Sequence, residues 1–168
     1  AMIMGSWMEM CVWIISVYTF WKNRCSPFKS GHNVLRVLLR RRIFCHELYL
    51  KMLSIRQKYF KLNSEKNFEI DFRDLESKIT SKVKAIVIVN PGNPTGSSQD
   101  KTVLDEILKL CIKKNKYLII DETYRDFIYP DKGAPHNLFS IPNWSKNLIQ
   151  LYSFSKSCCI PGHRLGAI

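Results

Sequence analysis

Acidic residues are scarce in this 168-residue chain: 14 Asp and Glu stand against 26 Lys and Arg, for a net charge of +12. Glycine and proline are also sparse, at seven each, which excludes a collagen-like or low-complexity chain. No apolar run reaches the roughly eighteen residues that a membrane-spanning helix needs. The six cysteines, at 11, 25, 45, 111, 158 and 159, include no C-x-x-C spacing, so a zinc or thioredoxin-like site has no support. No internal repeat is visible. What is present is a globular composition, 46% hydrophobic and 24% charged, enough to bury the core of one domain.

The positive charge raises nucleic acid or an anionic surface as a partner. Its distribution argues against that reading. Residues 1–68 hold 12 Lys and Arg against 3 Asp and Glu, whereas residues 69–168 hold 14 against 11. No aromatic-basic recognition motif accompanies the excess. Adjacent cysteines at 158 and 159 do not suit a disulfide framework, which points to reduced thiols and a cytoplasmic setting. Residues 10–21 (MCVWIISVYTFW) are almost wholly apolar. They read as a buried segment rather than a secretory signal, because residues 1–9 carry no Lys or Arg. Residues 22–33 read as a loop, Arg40, Arg41 and Arg42 follow the apolar stretch VLRVLL, and residues 46–57 have apolar spacing compatible with a helix.

From about residue 59 the pattern becomes regular. IDFRDLESKI, residues 70–79, reads as a short helix with Asp71 at its N-cap and Asp74 three residues later. KAIVIV, residues 84–89, is a run rich in β-branched residues of the kind buried on both faces of a parallel sheet. It stops at NPGNPTG, residues 90–96, dense in turn residues. The segment 102–115 places Val103, Ile107, Leu110 and Cys111 on one helical stripe. YLIID (117–121) and NLIQLYS (147–153) read as two further strands. Strand, loop, helix, strand is the rhythm of an α/β fold, a mostly parallel sheet flanked by helices. In such sheets ligands bind beyond the carboxyl ends of the strands, here near Asn90, Asp121 and Ser153.

Asp121 closes an apolar strand, and a buried carboxylate is costly without a cation or a strong donor. Lys156 follows the third strand in SFSK, and Arg164 lies eight residues further on. An acid, an amine and a guanidinium at neighbouring strand ends suit either a structural salt-bridge cluster or an anionic cofactor with a cationic ring.

NPGNPTG at 90–96, DETY at 121–124 and SFSK…GHRLG at 153–166, in that order, resemble the class I/II aminotransferases, fold-type I enzymes that use pyridoxal 5′-phosphate (PLP). The spacings agree: 28 residues from Asn93 to Asp121, 35 to Lys156 and 8 to Arg164. The resemblance implies that Lys156 forms the internal aldimine and carries a proton between substrate and cofactor. It implies that Asp121 pairs with the protonated pyridine nitrogen, and that Tyr124 and Asn93 hydrogen-bond the phenolic oxygen. Asn93 would also touch the substrate carboxylate. Arg164 and Ser153, with Ser155, would hold the phosphate. The Asn93–Pro94 peptide would be cis. Gly5 and Ser6 resemble the family's phosphate-cup turn. The implied reaction moves an amino group from an L-amino acid to a 2-oxo acid, in an enzyme that is a homodimer at full length.

Three features depart from the family pattern. Cys159 stands where the family has Gly or Ala. The position that stacks on the cofactor ring falls on Ile43, with Phe44 adjacent. The chain begins at Ala1 and ends at Ile168, so it reads as part of the PLP-binding large domain, with residues 59–168 the firm match and the C-terminal small domain absent. Four readings follow: an aminotransferase, a catalytically incompetent fragment or pseudoenzyme of that family, a related PLP lyase or cyclopropane-carboxylate synthase, and, resting on charge alone, a basic nucleic-acid-binding protein.

Overall fold

A computed structural model of the protein describes residues 33–37, 50–52, 54–127 and 134–168, with backbone only for 33–37. The apolar segment 10–21, Gly5, Ser6, Arg40–Arg42, Ile43, Phe44 and the cysteines at 11, 25 and 45 lie outside the described residues. The elements in chain order are β1 (Asn33–Val37), β2 (Arg56–Phe60), β3 (Leu62–Asn63), β4 (Glu69–Ile70), α1 (Phe72–Lys78), β5 (Val83–Val89), α2 (Lys101–Lys113), β6 (Tyr117–Asp121), β7 (Leu148–Ser153), α3 (Phe154–Ser157) and β8 (Gly166–Ala167). Six strands form one sheet in the order β2-β1-β5-β6-β7-β8. The first five run parallel. β8 returns antiparallel against β7, and β3 and β4 make a separate two-stranded hairpin. The expected mostly parallel α/β sheet is therefore present.

The central strands carry the core. Ile86 and Ile88 of β5 and Leu118 and Ile120 of β6 share one cluster with Leu104, Ile107, Leu108 and Cys111 of α2. Ala85, Val87 and Ile119 alternate with these residues and are buried as well, so both faces of the middle of the sheet are covered. Among the described residues the most buried part of the α2 stripe runs through Leu104, Ile107, Leu108 and Cys111, and Val103 is only partly buried. Burial pushes the Cys111 thiol up to about 12, which makes it a packing group rather than a nucleophile.

α1 starts as its sequence indicates. The Asp71 carboxylate accepts a hydrogen bond from the Asp74 N–H at 3.0 Å, satisfying one of the orphan donors of the first turn. Asp74 in turn accepts from the Lys61 N–H at 2.8 Å and pairs with Lys78 at 2.6 Å, which ties the helix to the end of β2.

The segment 46–57 is not one helix. Residues 50–52 are helical, but the chain turns left-handed at Ser54 (φ 55°). The Ile55 N–H closes back on the Leu50 carbonyl at 2.8 Å and the Ser54 N–H on Lys51 at 2.9 Å. This paired closure ends a helix in the Schellman manner. Arg56 and Gln57 belong to β2, and Asn33, at the end of the loop expected over 22–33, opens β1. β2 lies at the sheet edge and buries only Phe60 fully, so its RQKYF sequence carries little apolar alternation.

Two measurements test this packing. Leu104→Ala removes a fully buried side chain between α2 and the sheet. It should cost about 2–5 kcal/mol in urea unfolding, with a slope like that of the parent chain. For Asp74, burial pushes the carboxyl up, but the Lys78 ammonium, the Lys61 N–H and the Lys78 and Lys61 charges together hold it below its ordinary 3.8. A lowered carboxyl contributes stability above its unfolded pKa and loses it as pH falls through the folded value. Asp74→Ala should therefore cost about 1 kcal/mol at neutral pH, a partly exposed charged hydrogen bond, and progressively less below about pH 4.

Candidate functional site

The first wall of the site is the loop after β5. Within it the peptide bonds before Pro91 and Pro94 are both cis. The second was expected from the motif and the first was not. Gly96 adopts φ 68°, and a Cβ on Gly92 would meet Thr95 Oγ1 at 2.4 Å, so both glycines are needed by the turn. The loop is tied at both ends. The Gly96 N–H donates to the Gly92 carbonyl and the Gly92 N–H to the Ser97 carbonyl, each at 2.7 Å. Buried Asn90 accepts from the Gln99 N–H at 2.8 Å. Gln99 then accepts from the Ile70 N–H at 2.9 Å and donates to the Phe68 carbonyl at 3.0 Å.

The second wall is the end of β6. Asp121 pairs with Val89 of β5 and Leu151 of β7 in register, so its carboxylate stands at the carboxyl edge of the sheet, 3% exposed. Its Oδ1 accepts from the Thr123 N–H at 3.1 Å and the Thr123 hydroxyl at 2.7 Å. Tyr124 follows, and its phenol oxygen accepts from the Asn93 side-chain amide at 3.4 Å. The loop after β5 and the loop after β6 thus meet through two of the residues singled out by sequence. Burial, and then the Asp121 charge, push the Tyr124 phenol above its ordinary value of 10.0, so at neutral pH it keeps its proton and can donate.

The third wall is the turn after β7. Ser153 caps α3, its hydroxyl accepting from the Ser155 N–H at 3.3 Å. Lys156 lies within this four-residue helix, half-buried like Ser153 and Ser155. The chain then returns through β8, where Ser153 faces Gly166 and the Phe154 N–H reaches the Leu165 carbonyl at 3.2 Å. That return brings Arg164 back beside the Ser153 end of β7. Arg164 is left-handed (φ 56°) and one guanidinium nitrogen donates to the Pro161 carbonyl at 2.8 Å. Asn93, Asp121, Tyr124, Ser153, Ser155, Lys156 and Arg164 therefore all occupy one edge of one sheet. Gly5 and Ser6 lie outside the described residues.

This donor set fits PLP. The buried acid at the end of β6 suits a protonated ring nitrogen, since a buried carboxylate needs a cation. A guanidinium and two hydroxyls on the next turn suit a phosphate. An amide and a protonated phenol on the opposing loop suit an anionic ring oxygen.

Other polar groups nearby were not visible to sequence reasoning. Thr123 is the group that orients Asp121, and only its place inside DETY marked it. Glu122 is fully buried, its Oε1 2.9 Å from His136 Nε2 and its other oxygen accepting from the Gln150 amide. The Glu122–His136 approach is at ion-pair distance but off the axis of a linear hydrogen bond. Asp126, Tyr152 and Ser157 form a further hydrogen-bonded group. The Glu122–Gln150, Glu122–His136 and Tyr152–Asp126 partners are distant in sequence, and no motif spacing announces them.

The Tyr124 environment gives a direct check. A difference titration of the parent chain against Tyr124→Phe should show a phenol ionising above 10.0. Asp121→Asn should move that titration downward but not fully back, because burial is the larger of the two causes.

The family model for aminotransferase class I and II matches residues 45–168. An aspartate aminotransferase of Sulfolobus acidocaldarius is 34% identical over 121 residues, covering 71% of this chain and 30% of that protein. One of Bacillus sp. is 35% identical over 112 residues, covering 64% and 28%. Among solved structures, the aromatic aminotransferase of Pyrococcus horikoshii aligns with TM-score 0.73 and 26% identity over 83% of this chain and 36% of that one. The alanine aminotransferase of Pyrococcus furiosus aligns with TM-score 0.71 and 28% identity, covering 83% and 34%. The chain thus spans about a third of the length of the relatives it matches. Motif order, sheet topology and these matches agree: the chain belongs to the class I and II aminotransferase family.

Proposed function

We propose that the chain is the cofactor-bearing part of a PLP-dependent aminotransferase that transfers an amino group from an L-amino acid to a 2-oxo acid. The observation that carries this reading is the meeting of Asn93 and Tyr124 at 3.4 Å beside the buried Asp121 carboxylate, at the sheet edge from which the Lys156 turn departs. When bound, PLP supplies an electrophilic carbonyl and a cationic ring that draws electrons from a substrate carbon. Asp121 holds a proton at the ring nitrogen, with Thr123 fixing the carboxylate's orientation. Tyr124 and Asn93 would donate to the ring oxygen, and Asn93 would also touch the substrate carboxylate. Arg164, with Ser153 and Ser155, binds the phosphate. The Lys156 amine would hold the cofactor at its carbonyl carbon and, when free, would move a proton at the substrate α-carbon.

The described residues belong to the large domain of such an enzyme, whose full-length form works as a homodimer in a cytoplasmic setting. Among the described residues no helix is long and apolar enough to cross a membrane.

The test is the visible absorption spectrum of the purified chain with PLP. A band present in the parent chain and lost in Lys156→Ala is expected, and addition of amino acids should convert it. A band that persists in Lys156→Ala contradicts the reading. A Lys156-dependent band that no amino acid converts identifies a chain that binds cofactor without turnover.

A further inference from the structure

The two loops that carry Tyr124 and Lys156 are joined by a polar strap. Tyr152, near the end of β7, sends its phenol to the Asp126 carboxylate in the turn Arg125–Phe127, two residues beyond Tyr124. The same phenol lies 2.6 Å from the Ser157 hydroxyl, in the residue immediately after Lys156. A phenol has one proton to give, and an ionised carboxylate can only accept. Tyr152 therefore donates to Asp126, and the Ser157 hydroxyl bonds the same pair, at the Tyr152 oxygen and at the Asp126 carboxylate. Tyr152 is clamped in place by the Arg125 guanidinium, 5.0 Å from its ring centre, and by the edge of Phe154, at 5.0 Å. Arg125 also approaches Asp126 at 3.4 Å.

Among the described residues, the 122–127 loop makes one backbone hydrogen bond to β7, Glu122 N–H to the Leu151 carbonyl at 2.8 Å. The remaining backbone bonds of the loop are internal, Arg125 to Glu122 and Phe127 to Tyr124, each at 3.0 Å. α3 is only four residues long, too short to hold itself in place by helix propensity. A Gln150–Glu122 side-chain bond also ties this loop to β7, and the Tyr152 group links the loop to the Lys156 turn.

We propose that Tyr152, with Asp126 and Ser157, is a positioning group that sets the Lys156 amine relative to the Tyr124 phenol. The inference rests on the PLP reading for its consequence, but the strap itself does not. The Tyr152 phenol keeps its proton through the neutral range, because burial and the Asp126 carboxylate beside it both oppose ionisation. Asp126 stays ionised there, held below its ordinary range chiefly by the Tyr152 hydrogen bond. The strap is thus intact from mildly acidic pH until the phenol titrates.

Two readouts on the full chain test it. The first needs no cofactor: amide hydrogen exchange in segment 122–127 is compared between the parent chain and Ser157→Ala, Tyr152→Phe and Asp126→Asn. Hydrogen bonds to a charged group support exchange that is roughly tenfold or more faster in 122–127 for Tyr152→Phe, together with faster exchange in 154–158. Ser157→Ala, which is remote in sequence from 122–127, should also loosen that segment. Tyr152→Phe combined with Asp126→Asn should cost less than the sum of the two single changes, because both act on the shared Tyr152–Asp126 bond. The second readout is the pH midpoint of the PLP absorption band, which reports the environment of the attachment site. It should shift in Tyr152→Phe and return toward the parent value in Asp126→Glu, where the carboxylate is kept, more closely than in Asp126→Asn.

Unchanged exchange in 122–127 on Ser157→Ala and Tyr152→Phe overturns the strap, whatever PLP does. Faster exchange with an unshifted midpoint overturns the positioning role. Variants that loosen as expected, with no Lys156-dependent band in the parent chain, place the failure in the PLP reading instead.

Discussion

The parallel register of β5, β6 and β7 is the constraint on which the site depends. Val89, Asp121 and Leu151 stand side by side across the three strands. Because the strands run the same way, their three following loops open at one edge of the sheet. The ladder continues a step beyond the strands, with the Asn90 N–H on the Asp121 carbonyl at 2.9 Å and the Glu122 N–H on Leu151 at 2.8 Å. Asn93, Tyr124 and Lys156 lie 31 and then 32 residues apart in sequence, and this register opens their three loops at the same edge.

A buried acid at the end of β6 gives that edge its chemistry. Asp121 is held by Thr123 with almost no exposure, an arrangement that is costly unless a positive group meets it. The loops around it are braced rather than loose. Asn90 is linked through Gln99 to the β3–β4 hairpin, and Gly92 and Gly96 allow a turn that side chains would obstruct or strain. Pre-positioned donors of this kind avoid the cost of ordering them when an anion arrives.

The sequence made the centre of this structure readable and the periphery obscure, for physical reasons. β5, β6 and α2 have apolar patterns long enough to identify, because they are buried and must be apolar. Asp71 announced α1 because an N-cap needs a short polar acceptor. The helix expected over 46–57 overruns the first two residues of β2, Arg56 and Gln57, because β2 is an edge strand with one fully buried residue. β8 was missed because two residues, Gly166 and Ala167, carry no periodicity. Asn93, Asp121, Lys156 and Arg164 were legible as motif residues. Glu122, His136 and the Tyr152–Asp126–Ser157 group were not, since their roles arise from contacts between segments that only the fold brings together.

The central claim is that one lysine, Lys156, stands apart from the chain's many basic residues by its place at this edge. Its most direct measurement is peptide mapping after borohydride reduction of the chain mixed with stoichiometric PLP. The account predicts a covalent cofactor adduct on the peptide containing Lys156 and on no other lysine to a comparable extent. An adduct spread over exposed lysines such as Lys51 and Lys58, with no preference for Lys156, would contradict it.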